Sequence, residues 1–107
     1  MLYIVVHHKR DQNQLWANSW LNDDCLEAIE TTVEIGQHCA DAQMHNEIIF
    51  VHRCGWGGND PMICCSVEVE RVDRIDRRTS LVKFRNAVVL HNPPPFQPLQ
   101  GQSFYIM

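Results

Sequence analysis

No apolar stretch of this sequence is long enough to cross a bilayer. Runs such as Ala87 to Leu90 and Ile48 to Val51 fall far short of the roughly 20 residues that a spanning helix needs. The opening Met-Leu-Tyr-Ile-Val-Val lacks a basic n-region and a long apolar h-region, so an export signal is not expected and the chain reads as cytoplasmic. Internal repeats and low-complexity segments are missing. So are a phosphate-binding loop, a dinucleotide fingerprint and a serine-hydrolase elbow. No two cysteines stand two to four residues apart, the spacing of structural zinc sites. Cys64 and Cys65 are adjacent, and neighbours on a strand point to opposite faces. Neither a metal nor another cofactor is expected. A positive excess is also missing: the net charge is −4, which excludes a whole-surface electrostatic grip on nucleic acid. A local basic face stays open. The five cysteines are an odd number, which argues against a disulfide framework and fits a reducing compartment.

What is present is a globular composition. The 107 residues are 45% apolar, enough to bury a modest core in one domain spanning 1–107 and too few for two domains. Charge is unevenly spread. Residues 23–47 hold Asp23, Asp24, Glu27, Glu30, Glu34, Asp41 and Glu47 without one basic residue, whereas 48–107 carry seven basic against five acidic groups.

Leu2 to Val6 is β-branched and aromatic and reads as a first strand. His7 to Asn22 is polar with Trp16, Trp20 and Leu21 interleaved, a loop or a short helix. Asp24 followed three residues later by Glu27 has the form of a capping box. Leu26, Ile29, Val33, Gly36 and Ala40 then recur at spacings of three and four, which predicts one helix from Asp24 to about Ala42. Glu27, Glu30, Glu34, Gln37 and Asp41 would form its solvated side.

The second half alternates. Ile48 to Arg53 reads as a strand, and Cys54-Gly-Trp-Gly-Gly-Asn-Asp-Pro61 as a loop. Ile63, Cys65, Val67 and Val69 alternate with Cys64, Ser66, Glu68 and Glu70; Val82 and Phe84 alternate with Lys83 and Arg85. Both patterns have the period of a half-buried strand. Arg71 to Arg78 reads as a strand end and turn, and Ser103 to Met107 as a closing strand. The fold class is therefore α+β: a small curled, mainly antiparallel sheet or barrel with one principal helix. No parallel βαβ unit is indicated, because no second helix separates the later strands.

Three features carry chemistry. Trp56 lies between glycines, and Trp16 and Trp20 are four apart. Exposed aromatics stack on nucleobases while Arg or Lys holds phosphate or a base edge; Trp16 and Trp20 equally suit a role closing the core. Cys54, with His52 two residues before it on the same strand, is the best nucleophile-base pair. It arises readily in a chain with five Cys and six His, and the protein is read as non-catalytic. The acidic helix face suits a protein partner, and an exposed strand edge suits a homodimer.

Ile48-Ile-Phe-Val-His52, Met62 to Ile75 with its Val-Glu-Val core, and Phe84 to Phe96 leading into Pro93-Pro94-Pro95 together resemble strands of the PUA-like small barrels, in particular EVE and ASCH domains. The resemblance covers about half of the chain. It implies a binding module for RNA or for modified nucleobases in DNA, with a pocket between sheet and helix. The expected site is Trp56 with Trp16 or Trp20 for stacking, and Arg53, Lys83 and Arg85 for polar and cationic contacts. The alternative is an interaction or regulatory partner using the acidic helix face or a sheet edge.

Overall fold

The computed structural model describes residues 2–7, 18–22, 25–54, 62–91 and 104–106. His7, Asn18, Arg53, Cys54, residues 62–64 and residues 104–106 are described as backbone only. The elements in chain order are β1 (Leu2–His7), β2 (Asn18–Asn22), β3 (Cys25–Thr32), α1 (Val33–Met44), β4 (Ile48–Cys54), β5 (Met62–Arg74), β6 (Thr79–Val89) and β7 (Phe104–Ile106). The seven strands form one sheet in the order β2-β3-β6-β5-β4-β1-β7. Among the described residues it is a curled sheet with one helix, the α+β class read from the sequence.

The pairing is mainly antiparallel, as expected; the exception is β1, which lies parallel to β4, Leu2 opposite Ile49 and Val6 opposite Arg53. The crossover is made by β2, β3 and α1 together, so a parallel pair forms without a simple βαβ unit.

The helix is shorter than its sequence pattern. Cys25–Thr32, expected as its first two turns, is strand β3. The misleading signal is a bulge. Leu26 pairs with Trp20 and Ala28 with Ser19, leaving Glu27 as an extra residue. The bulge resets the strand's alternation, so Leu26 and Ile29 are both buried although three residues apart. That spacing imitates a helix. Asp24 and Glu27 are thus no capping box for α1. Thr32 is the N-cap, and its Oγ1 accepts from the Ile35 amide at 3.2 Å. The β-branched run Thr31-Thr32-Val33 ends the strand, and Glu34 in the first turn favours the helix dipole.

At its other end α1 closes with a Schellman pattern. The Glu47 amide donates to the Ala42 carbonyl at 2.8 Å and the Asn46 amide to that of Gln43 at 3.1 Å. Asn46 takes the left-handed position, with φ 53°. The buried stripe is Ile35, Gly36, Cys39 and Ala42, not the Val33, Gly36, Ala40 series. The acidic residues expected on the solvated side, Glu27, Glu30, Glu34 and Asp41, are all exposed, but two of them belong to β3.

The core fills the face of the sheet that α1 covers. It contains Leu2, Ile4 and Val6 from β1, Ile49 and Val51 from β4, Cys65, Val67 and Val69 from β5, and Val82 and Phe84 from β6. Burying each such aliphatic side chain contributes about 1.5–3 kcal/mol. Two bulges keep the β5–β6 hairpin in phase with this core. Val69 pairs with Phe84 and Arg71 with Lys83, leaving Glu70 extra; Val72 thereby replaces Arg71 on the core side. Ser66 pairs with Val88 and Glu68 with Arg85, leaving one extra residue on β6 at Asn86, φ 52°. Ala87 packs on the core beyond it, while Val88 is turned out to solvent. Gln43 of α1 donates to the carbonyl of the bulged Glu70 at 2.8 Å, tying the helix end to the sheet.

Among the described residues no helix is long and apolar enough to cross a membrane.

Candidate functional site

Side chains alternate across a strand, so the residues between the core positions stand on the helix-free face. On β1 and β4 these are Tyr3, Val5, Phe50 and His52, set side by side by the parallel register: Tyr3 opposite Phe50, Val5 opposite His52. The Tyr3 and Phe50 rings stack with centroids 5.3 Å apart and planes 23° from parallel. The His52 ring lies 5.7 Å from Tyr3, tilted by 50°. Both separations fall in the range of favourable ring pairs. None of the three belongs to the core cluster under α1, yet Tyr3 and His52 are buried and Phe50 is half-buried. Burial disfavours the imidazolium and lowers the His52 pKa to about 4. At neutral pH His52 is therefore an uncharged, flat ring.

The same face carries cations on β6. Lys83 and Arg85 are two residues apart and both face outward, as their alternation predicts. Lys83 lies between Ala28 of β3 and Arg71 of β5, and Arg85 lies opposite Glu68.

The structure divides the sequence-derived site. Trp20 belongs to strand β2 rather than to a helical turn, and it packs partly buried against the core. That is the core-closing role, on the face opposite Lys83 and Arg85. Arg53 continues β4 one residue after His52, with Val6 as its register partner; its side chain is outside the described residues, as are Trp16 and Trp56. Cys54 ends β4 in the described backbone, and its side chain lies outside too. The remaining described cysteines, Cys25, Cys39 and Cys65, are buried free thiols. Burial pushes the Cys39 thiol up to about 12, the opposite of an activated nucleophile. Among the described residues no group of three His, Cys, Asp or Glu is placed to hold a metal ion.

Tyr3 and Phe50 were not legible as a pair. Each sits in a strand pattern that reads as core, and only the pairing of β1 with β4 brings them together. Comparison with known families, characterised proteins and solved structures found no match to this chain, and the PUA-like resemblance gains no support from it.

Proposed function

We propose that the protein is a non-catalytic binding domain for single-stranded RNA or a modified nucleobase, recognised on the helix-free face of the sheet. One observation carries this reading: the stacked Tyr3–Phe50 pair, with neutral His52 beside it, shares a face with Lys83 and Arg85. Flat rings offer stacking to any base, and neighbouring cations attract phosphate. Phe50 is the half-exposed member and takes the stacking role, with Trp56, from the segment that follows β4, kept as a further contact. Neighbouring strands are about 4.8 Å apart, so Arg85 on β6 is two strands from the ring pair, within reach of a ligand a few nucleotides long. In a chain of net charge −4, stacking outweighs general backbone attraction, and ordinary duplex DNA is expected to bind weakly.

The test is a calorimetric titration with single-stranded oligonucleotides, free and modified nucleosides, and a duplex control. Loss of one stacked base costs about 1–3 kcal/mol, so Phe50→Ala should weaken binding about 5- to 150-fold. Tight duplex binding, or an affinity unmoved by both Phe50→Ala and Trp56→Ala, would refute the proposal.

A second reading has its own observation. Strand β2 ends the sheet, and Leu21 on it is 61% exposed, so this edge suits a protein partner or a second copy. Exposed Glu27, Glu30 and Glu34 lie on the adjoining β3 and α1. Reversing these three charges should abolish docking of such a partner without weakening nucleotide binding.

A further inference from the structure

The β5–β6 hairpin carries six of the chain's nine basic residues, against four acidic ones. Most of those acids are engaged locally. Asp73 pairs with Arg71 Nε at 2.6 Å. The Asp76 carboxylate accepts from the Arg78 amide at 2.8 Å. Glu68 is the register partner of Arg85, yet its Oε2 accepts from the Asn86 side-chain amide at 2.6 Å. The bulge at Asn86 thus takes the carboxylate that Arg85 would otherwise meet. Arg74 folds back on the turn, donating to the Asp76 carbonyl at 2.9 Å and the Arg77 carbonyl at 3.1 Å. Arg77, Arg78, Lys83 and Arg85 are left without an ion pair among the described residues.

These four follow one another along one arm of the hairpin. Arg77 and Arg78 are exposed at the hairpin tip, and Lys83 and Arg85 follow on the helix-free face of β6. At about 3.4 Å per residue, they span on the order of 20 Å. We propose that it is a docking track for the sugar-phosphate backbone of a single-stranded nucleic acid, running from the hairpin tip toward the ring pair of β1 and β4. The proposal rests on the ring-stacking reading for what happens to the bases, but the track itself holds phosphate whether or not a base stacks. Its narrowness favours one strand over a duplex: exposed Glu30, paired in register with Leu81 on the same face, flanks it, and exposed Glu70 lies at the neighbouring bulge. It also disfavours a membrane. A broad anionic surface would meet the whole acidic molecule, and the tip offers only Ile75 as an exposed apolar side chain, whereas surface-binding elements bury an apolar face.

The experiment compares the wild type with Arg77→Gln/Arg78→Gln and Lys83→Gln/Arg85→Gln, all checked for native circular dichroism. Each is titrated at several salt concentrations with a labelled single-stranded oligonucleotide and with inorganic polyphosphate, which has no bases. Each phosphate contact on a single strand contributes about 0.7 to the slope of log affinity against log salt. Either double variant should therefore lower the slope by about 1.4, for both polymers. Unchanged slopes in both variants, or no polyphosphate binding at low salt, would overturn the track. So would anionic lipid vesicles that bind as well as the oligonucleotide and displace it. The two proposals fail separately. If Phe50→Ala and Trp56→Ala both change nothing while the slopes fall as expected, the ring reading is lost and the track stands; the reverse pattern sinks the track alone.

Discussion

Gly36 of α1 and Ser80 of β6 face each other without room for a further methyl: a β-carbon built on Gly36 would lie 2.7 Å from both Cβ and Oγ of Ser80. Contacts that close force one element to move. The glycine sets how deeply the helix seats in the curled sheet, at the buried stripe it shares with Ile35 and Cys39.

Gly36→Ala should therefore destabilise the protein, although alanine is the better helix former by about 1 kcal/mol. Overpacking costs about 1–3 kcal/mol, so a net loss of up to about 2 kcal/mol is expected in urea unfolding. Ser80→Gly removes both contacting atoms, and in that background Gly36→Ala should become neutral or stabilising. Purely additive effects of the two substitutions would contradict this packing.

His52 should make stability depend on mildly acidic pH. Its pKa is about 4 when folded and 6.5 when unfolded, so between these values the unfolded chain binds the extra proton. Stability is then full above pH 6.5 and falls as pH drops toward 4, by about 1.4 kcal/mol per unit at most. In His52→Phe, the urea midpoint measured from pH 7 to 4 should lose most of this slope.

Asp76 acts in a lower window. The Arg78 amide above all, with Thr79 and Arg74, holds its pKa below the usual 3.8. Its contribution is present above 3.8 and is lost as pH falls through the depressed folded value. Unfolding profiles of Asp76→Ala and wild type should accordingly run parallel above pH 4 and converge at strongly acidic pH.

The two residues with positive φ should answer differently to glycine. Asn46, φ 53°, only closes the helix, so Asn46→Gly should be neutral or slightly stabilising, and Asn46→Val should cost about 1–2 kcal/mol. Asn86, φ 52°, also holds Glu68. Asn86→Gly keeps the bulge but releases the carboxylate to Arg85, and it should lower the salt slope of oligonucleotide binding by about 0.7. Chemical denaturation and the salt titration read the two effects.

Cys39 is expected to resist thiol reagents at neutral pH until the chain unfolds, because its thiol is pushed up to about 12 by burial. Mass-spectrometric labelling in rising urea should show it reacting only across the unfolding transition. Fast labelling in the native state would mean that α1 opens locally.

The strands of the second half were readable because Cys65, Val67, Val69, Val82 and Phe84 keep a strict period of two between bulges. Where bulges fall, the pattern deceives. At Glu27 the extra residue converts strand spacing into helix spacing, so the sequence of β3 imitates the front of the helix. The outward placement of Lys83 and Arg85 was legible from alternation alone. The Tyr3–Phe50 stack was not, because it depends on which strands pair across distant parts of the chain. Nor was the release of Arg85 from Glu68, which follows from the backbone twist at Asn86.

The parallel pairing of β1 bears on the order of assembly. The β5–β6 hairpin closes over a short turn and can form within microseconds of collapse. Strand β1 has no local partner: Leu2 must find Ile49 on one side and Ile106 on the other, across loops whose closure is entropically slow. On a ribosome, β1 is made before both of its partners and waits for them, with its stripe of Leu2, Ile4 and Val6 uncovered. The ring pair is therefore built late, and chaperone capture of the nascent chain should centre on β1.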